Sequence, residues 1–168
     1  MKNLICLAML WLSLIVESTV FQVPPMKTIQ PDLVLVCIVL VALVRGPRTG
    51  LILGICIGFI QDVNFASFIG LSAFLYGVVG YFSGAAFQQF LHKNLPITLF
   101  VTVFFTFVVQ WVSYGLTRMF GVTAYSWQTV LSHSLFETIV NGVALVLLYP
   151  WCISLFTDRV KRKYSSVR

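Results

Sequence analysis

Charge is scarce in this sequence. Only 10% of its 168 residues are charged, against 59% hydrophobic, where a soluble domain keeps roughly a quarter charged. With a mean hydropathy of +0.95, the chain cannot clothe a water-facing surface. Polar–apolar alternation is also missing. Runs such as Leu33–Val44 and Ile97–Val109 do not alternate, which argues against the alternating strands of a membrane barrel. Several runs approach the ~20 residues a helix needs to cross the hydrocarbon core. Enzyme signatures are absent: there is no H-E-x-x-H, no G-x-S-x-G and no glycine-rich phosphate loop. The four cysteines, Cys6, Cys37, Cys56 and Cys152, lie inside apolar runs without C-x-x-C or metal-ligand spacing. They read as small buried hydrophobes, and no metal or cofactor is expected.

What is present is a series of apolar helices with polar punctuation. Lys2 followed by Leu4–Val16 mimics a signal peptide, but the run passes straight into Glu17-Ser18-Thr19 without a small-x-small cleavage site. It reads as an uncleaved first helix, over Asn3–Val23, stopped at Pro24-Pro25. Helix two opens after Pro31-Asp32 and ends at Val44. Arg45-Gly46-Pro47-Arg48 forms a tight polar turn. Helix three covers Thr49–Asp62, helix four Ile69–Leu91, and Pro96 opens a fifth helix running to Met119. Helix six covers Trp127–Phe156, bent at Pro150. The expected fold is all-α and integral to the membrane: one bundle of about six transmembrane helices over residues 1–157, with a basic cytoplasmic tail over 158–168. Helices two and three are short, and a re-entrant hairpin is the alternative. It would leave Arg45 and Arg48 inside the membrane at a cost of ~2.5–3.5 kcal/mol each, so two short full spans are preferred.

The distribution of positive charge sets an orientation. With a cytoplasmic N-terminus, Lys2, Arg45, Arg48, Lys93, Arg159, Lys161, Arg162, Lys163 and Arg168 lie inside, and only Lys27 and Arg118 outside. Both termini are then cytoplasmic. This asymmetry accounts for the net charge of +6 without nucleic acid. The tail Arg159–Lys163 can meet anionic lipid headgroups, and His92 beside Lys93 reads as a solvated loop residue. Tyr125, Trp127 and Phe120 near the outer face, with Tyr149 and Trp151 near the inner one, suit interfacial belts.

Two residue sets stand out. Gly50, Gly54 and Gly58 form a G-x-x-x-G-x-x-x-G ridge on helix three, and Gly77, Gly80 and Gly84 a second small-residue set on helix four. Such ridges let helix backbones approach closely, either inside the bundle or against a partner's helix. The second set is an intramembrane polar layer. Glu17 and Glu137 fall at similar depths, roughly 10 Å below the outer face at ~1.5 Å per residue. Gln110 falls at about that level, and Asp62 near the outer end of helix three. His133, Glu137 and Asn141, at i, i+4 and i+8, share one helix face. Carboxylates in lipid are costly, so these groups should face inward and share partners. A structural hydrogen-bond network, a pocket for a small ligand or partner segment, and a proton relay all remain open for this layer.

In order along the chain come Glu17-Ser18-Thr19, Pro31-Asp32-Leu33, Arg45-Gly46-Pro47, and Gly50-x-x-x-Gly54-x-x-x-Gly58-Phe59-Ile60-Gln61-Asp62. Gly70-Leu71, Tyr76-x-x-x-Gly80-Tyr81 and Glu137-x-x-x-Asn141 follow. With this ordered set the chain resembles the MreD family, the rod shape-determining membrane proteins of bacteria, over essentially its whole length. The resemblance implies a non-enzymatic member of the cell-elongation machinery in the cytoplasmic membrane. It implies MreC, a single-span protein, as direct partner, with MreB filaments, the RodA glycosyltransferase and a penicillin-binding transpeptidase acting alongside. It also implies a fold similar to the substrate-binding subunits of energy-coupling-factor transporters. On this reading the glycine ridge and helix four are candidate surfaces for the MreC span. The alternative is a small-molecule-binding subunit of a membrane transporter, supported by the polar layer. Against it, helix one has only Ala8 where paired alanines would serve docking onto a transport partner.

Overall fold

The computed structural model describes residues 2–20, 31–65, 69–89, 94–121 and 127–164. They form six helices: α1 (Lys2–Val20), α2 (Leu33–Arg45), α3 (Pro47–Phe65), α4 (Leu71–Gln89), α5 (Leu95–Met119) and α6 (Trp127–Tyr164). No strand occurs among the described residues. The sequence reading of helix one beyond Val20, and of Lys27, His92, Lys93, Tyr125 and Arg168, lies outside them.

α2 is the core. Every side chain from Val34 to Leu43 is buried, as expected of a helix that is apolar all round, and it touches each of the other five helices. Its 13 residues span only about 20 Å. The Asp32 side chain ends it on one side by accepting the Leu35 N–H at 2.8 Å, a standard N-cap. At the other end Gly46 takes a φ of 87°, a left-handed conformation natural to glycine, and its N–H bonds the Ala42 carbonyl at 2.9 Å. Pro47 then starts α3, where its missing N–H costs nothing. The turn is therefore shorter than the sequence suggests, with α3 beginning two residues before Thr49.

α3 and α4 pack more extensively than any other pair, and the glycines are the reason. A Cβ on Gly50 would collide with the Gly80 carbonyl. One on Gly54 would lie 2.8 Å from the Tyr76 carbonyl carbon. One on Gly58 would lie 2.6 Å from Ala73 Cα, and one on Gly84 2.6 Å from Pro47 Cα. Two helices this close need bare backbone on both sides.

α5 (25 residues, mean hydropathy 2.0) and the segment Trp127–Ser154 of α6 (28 residues, 1.6) are each long and apolar enough to cross a membrane; Ile5–Thr19 and Leu33–Arg45 are shorter apolar helices. α5 buries Thr98, Val101, Thr102, Thr106 and Val109, a stripe at helical spacing. Thr98 and Thr102 donate their hydroxyls to carbonyls one turn back, each at 2.9 Å. α6 continues through Pro150 to Tyr164, beyond the end read at Phe156, since one lost backbone bond weakens a long helix without ending it.

Polarity across the bundle is inverted relative to a water-soluble protein. Asp62, Ser83, Glu137, Asn141 and the α5 residues Thr98, Thr102 and Thr106 are buried, while Trp11, Leu12, Ile52, Phe59, Phe74, Phe100, Ile139 and Leu147 face outward.

Candidate functional site

The polar side chains converge where α2 begins. The first N–H groups of a helix lack intrahelical acceptors, and the helix dipole makes that end attractive to carboxylates. Two carboxylates answer this need. Asp32 caps the helix it precedes, and Glu17, reaching over from α1, accepts the Val34 N–H at 3.4 Å. Asp32 is also held from α4, where the Tyr76 hydroxyl lies 3.0 Å from both its oxygens. From α6, Asn141 Oδ1 accepts the Asp32 backbone N–H at 2.8 Å, and Asn141 Nδ2 donates to Thr106 Oγ1 of α5 at 3.1 Å. One turn along α6, Glu137 accepts a hydrogen bond from Gln110 Nε2 of α5. The cluster thus joins α1, α2, α4, α5 and α6 through hydrogen bonds whose neutral donors are backbone N–H, amide and hydroxyl groups.

Asp62 does separate work. At 1% exposure it accepts the N–H groups of Gly70 at 2.9 Å and of Ser72 and Ala73 at 3.0 Å. A residue of α3 therefore caps α4, clamping the end of the glycine-packed pair where α3 finishes and α4 begins. In hydrogen-bond terms the single layer read from the sequence is two clusters, both built on carboxylates at helix starts.

Of the sequence candidates, the structure brings Glu17, Gln110, Glu137 and Asn141 together, sets Asp62 apart, and turns His133 outward. The face argument for His133 fails because four residues advance a helix by slightly more than one turn, a drift of about 40° per step. Over two steps the face rotates from the core to the edge. Asp32, Tyr76 and Thr106 had not been counted as part of the layer. The available signals were an acidic residue directly before an apolar run, and Thr106 four residues before Gln110 on the same face of α5.

The glycines are used within the chain. Gly50, Gly54, Gly58, Gly80 and Gly84 face the opposing helix of the α3–α4 pair or the turn that leads into it, and Gly77 packs on Ile55. The ridge is therefore not a surface open to a partner's span, which corrects that part of the sequence reading. At the opposite end of the bundle, Gly46 is buried, Arg45 and Pro47 are half-buried and Arg48 is exposed; a Cβ on Gly46 would run into the Gln88 side chain.

Among the described residues, two larger concavities lie beside these clusters. Between α1 and α6, floored by Leu33 and Cys37 of α2, runs a groove of about 470 Å³ whose lining is apolar apart from Ser13. Between the Met119 end of α5 and the start of α6 lies a polar cleft of about 440 Å³, lined by Gln110, Ser113, Tyr114, Thr117, Thr129, Val130 and His133. All four cysteines are free, and no His, Cys, Asp or Glu group suited to a metal ion occurs among the described residues.

A family model described as rod shape-determining protein MreD matches residues 1–159 of the chain. No curated protein matches it, and no solved structure does.

Proposed function

The chain belongs to the MreD family of rod shape-determining membrane proteins, and from that premise we propose that it is a non-catalytic scaffold of the bacterial cell-elongation machinery. The observation that carries this reading is the family match over residues 1–159, nearly the whole length. In this role the protein crosses the cytoplasmic membrane several times with both termini inside, and organises lateral peptidoglycan synthesis through its partners. The outward-facing Phe, Ile and Leu side chains support a multi-pass arrangement, because a surface so apolar belongs in hydrocarbon. The buried network supports a scaffold. Polar groups paired across five helices fix their mutual register, as intramembrane hydrogen bonds do.

The direct partner is MreC, with MreB, RodA and a penicillin-binding transpeptidase reached through it. With the glycine ridge consumed by α3–α4 packing, the α1–α6 groove is the place for the single span of MreC. It follows α1 from Ile5 to Val16, about 17 Å of helix, and Ala8 and Ala144 in its lining allow close backbone approach. At the cytoplasmic turn, exposed Arg48 and half-buried Arg45 suit acidic filament surfaces or anionic lipid.

The experiment is depletion of the protein in its native bacterium, scoring cell shape with and without vitamin supplementation. Rods that swell and round in both media support the scaffold. Preserved shape with growth dependent on a supplement overturns it in favour of a ligand-binding transporter subunit.

A further inference from the structure

The polar cleft between α5 and α6 is not needed by the scaffold role. It lies between the two helices whose length and apolarity best suit a membrane span. Thr117 stands two residues from the end of α5 and Thr129 two residues from the start of α6, so the cleft opens at headgroup depth. It reaches inward to Gln110, about 10 Å deeper along the helix than Thr117. Polar side chains at this depth are costly unless something polar meets them.

The lining defines the chemistry. Ser113 and His133 supply a hydroxyl and an imidazole, which donate hydrogen bonds readily, while the Thr117 hydroxyl donates to carbonyls of its own helix. Arg118 sits at the rim, its guanidinium 5.6 Å from the centre of the Tyr114 ring and donating to the Tyr114 hydroxyl. A guanidinium carries five N–H donors in a fork matched to phosphate, more than one hydroxyl can use. The nearby carboxylate, Glu137, is buried and engaged by Gln110. A cationic headgroup would meet Arg118 at the entrance.

We propose that this cleft binds a phosphate ester, presented as the headgroup of a phospholipid whose acyl chains lie along α5 and α6. The Ser113 hydroxyl and His133 hold the phosphate oxygens, and Arg118 closes over them from the rim. Lipid is the favoured source because the cleft lies between the two helices long and apolar enough to span a membrane and opens near their ends, where headgroups sit.

The test uses the full chain purified in a neutral detergent without phosphate. Its melting temperature is followed during titration with dihexanoyl phosphatidylglycerol, inorganic phosphate and dihexanoylglycerol, since a ligand that binds only the folded state raises it. A saturable rise with the phospholipid and none with dihexanoylglycerol is expected. An equal rise with inorganic phosphate at the same concentration keeps the phosphate site but assigns it to free phosphate. Arg118→Gln should weaken the midpoint about tenfold or more, the worth of a charged hydrogen bond, and Arg118→Lys should recover part of it. Both variants change one exposed residue, and their own melting is read without ligand, so a folding defect is seen directly. An equal response to dihexanoylglycerol, or an unchanged midpoint in Arg118→Gln, overturns the proposal. Neither result touches the scaffold role, which the depletion experiment tests separately.

Discussion

Replacing Gly54 by alanine adds one methyl group at the closest approach of α3 and α4. That Cβ would lie 2.8 Å from the Tyr76 carbonyl carbon and 3.1 Å from the Gly77 nitrogen, and closer still to the Tyr76 carbonyl oxygen. Comfortable carbon contacts are about 3.5–4.0 Å, and the opposing atoms are backbone, which cannot rotate away. α4 must retreat by something like half an ångström or more, loosening the contacts on either side. Because rigid backbone must move, the cost lies in the upper part of the usual overpacking range, about 2–3 kcal/mol. Alanine returns about 1 kcal/mol of helix propensity over glycine, leaving a net loss of about 1–2 kcal/mol. For a chain of this size each kcal/mol shifts the melting temperature by about 2–4 °C, so Gly54→Ala should melt roughly 2–8 °C lower in detergent. The internal control is the same substitution at Gly115 and Gly142, where an added Cβ meets nothing within 4 Å. There the propensity gain stands alone and the melting temperature should hold or rise. Gly54→Ala melting at or above the parent, or all three variants falling together, would refute the packing argument.

Asp62→Ala should cost about 2 kcal/mol, the upper end for a lost cap, because three N–H groups lose their acceptor. Hydrogen exchange should accelerate at Gly70, Ser72 and Ala73, and unchanged protection there would show that the cap is dispensable. Ala8→Trp or Ala144→Trp should fill the α1–α6 groove and abolish co-purification with MreC, while Ile52→Trp on the exposed face of α3 should not. Normal recovery of MreC with both groove variants would move the interface elsewhere.

Much of this protein was legible without coordinates. The apolar runs set the helices, and Pro31 with Asp32 and Pro96 set where two of them start, since those effects act within one or two residues of the chain; the start of α3 at Pro47 was placed two residues late. The spacing of Gly50, Gly54 and Gly58 announced a close helix contact, and the ordered motifs pointed to the family that the match over residues 1–159 shows. What the tertiary structure decided is which faces meet. In a water-soluble bundle the polar face marks the outside. Here the exterior Phe100 and Ile139 are as apolar as the interior Leu35 and Leu145, so hydrophobic periodicity carries almost no information about facing. Hence the sequence could not tell that the glycine ridge lies against α4, that His133 rotates to the edge, or that α2 is surrounded on every side. Asp32 shows the limit most clearly. As a cap its role is local and readable, but its position between Tyr76, Asn141 and the neighbouring Glu17 depends on four other helices arriving at one point. Only their packing brings residues 17, 32, 76, 106, 137 and 141 together.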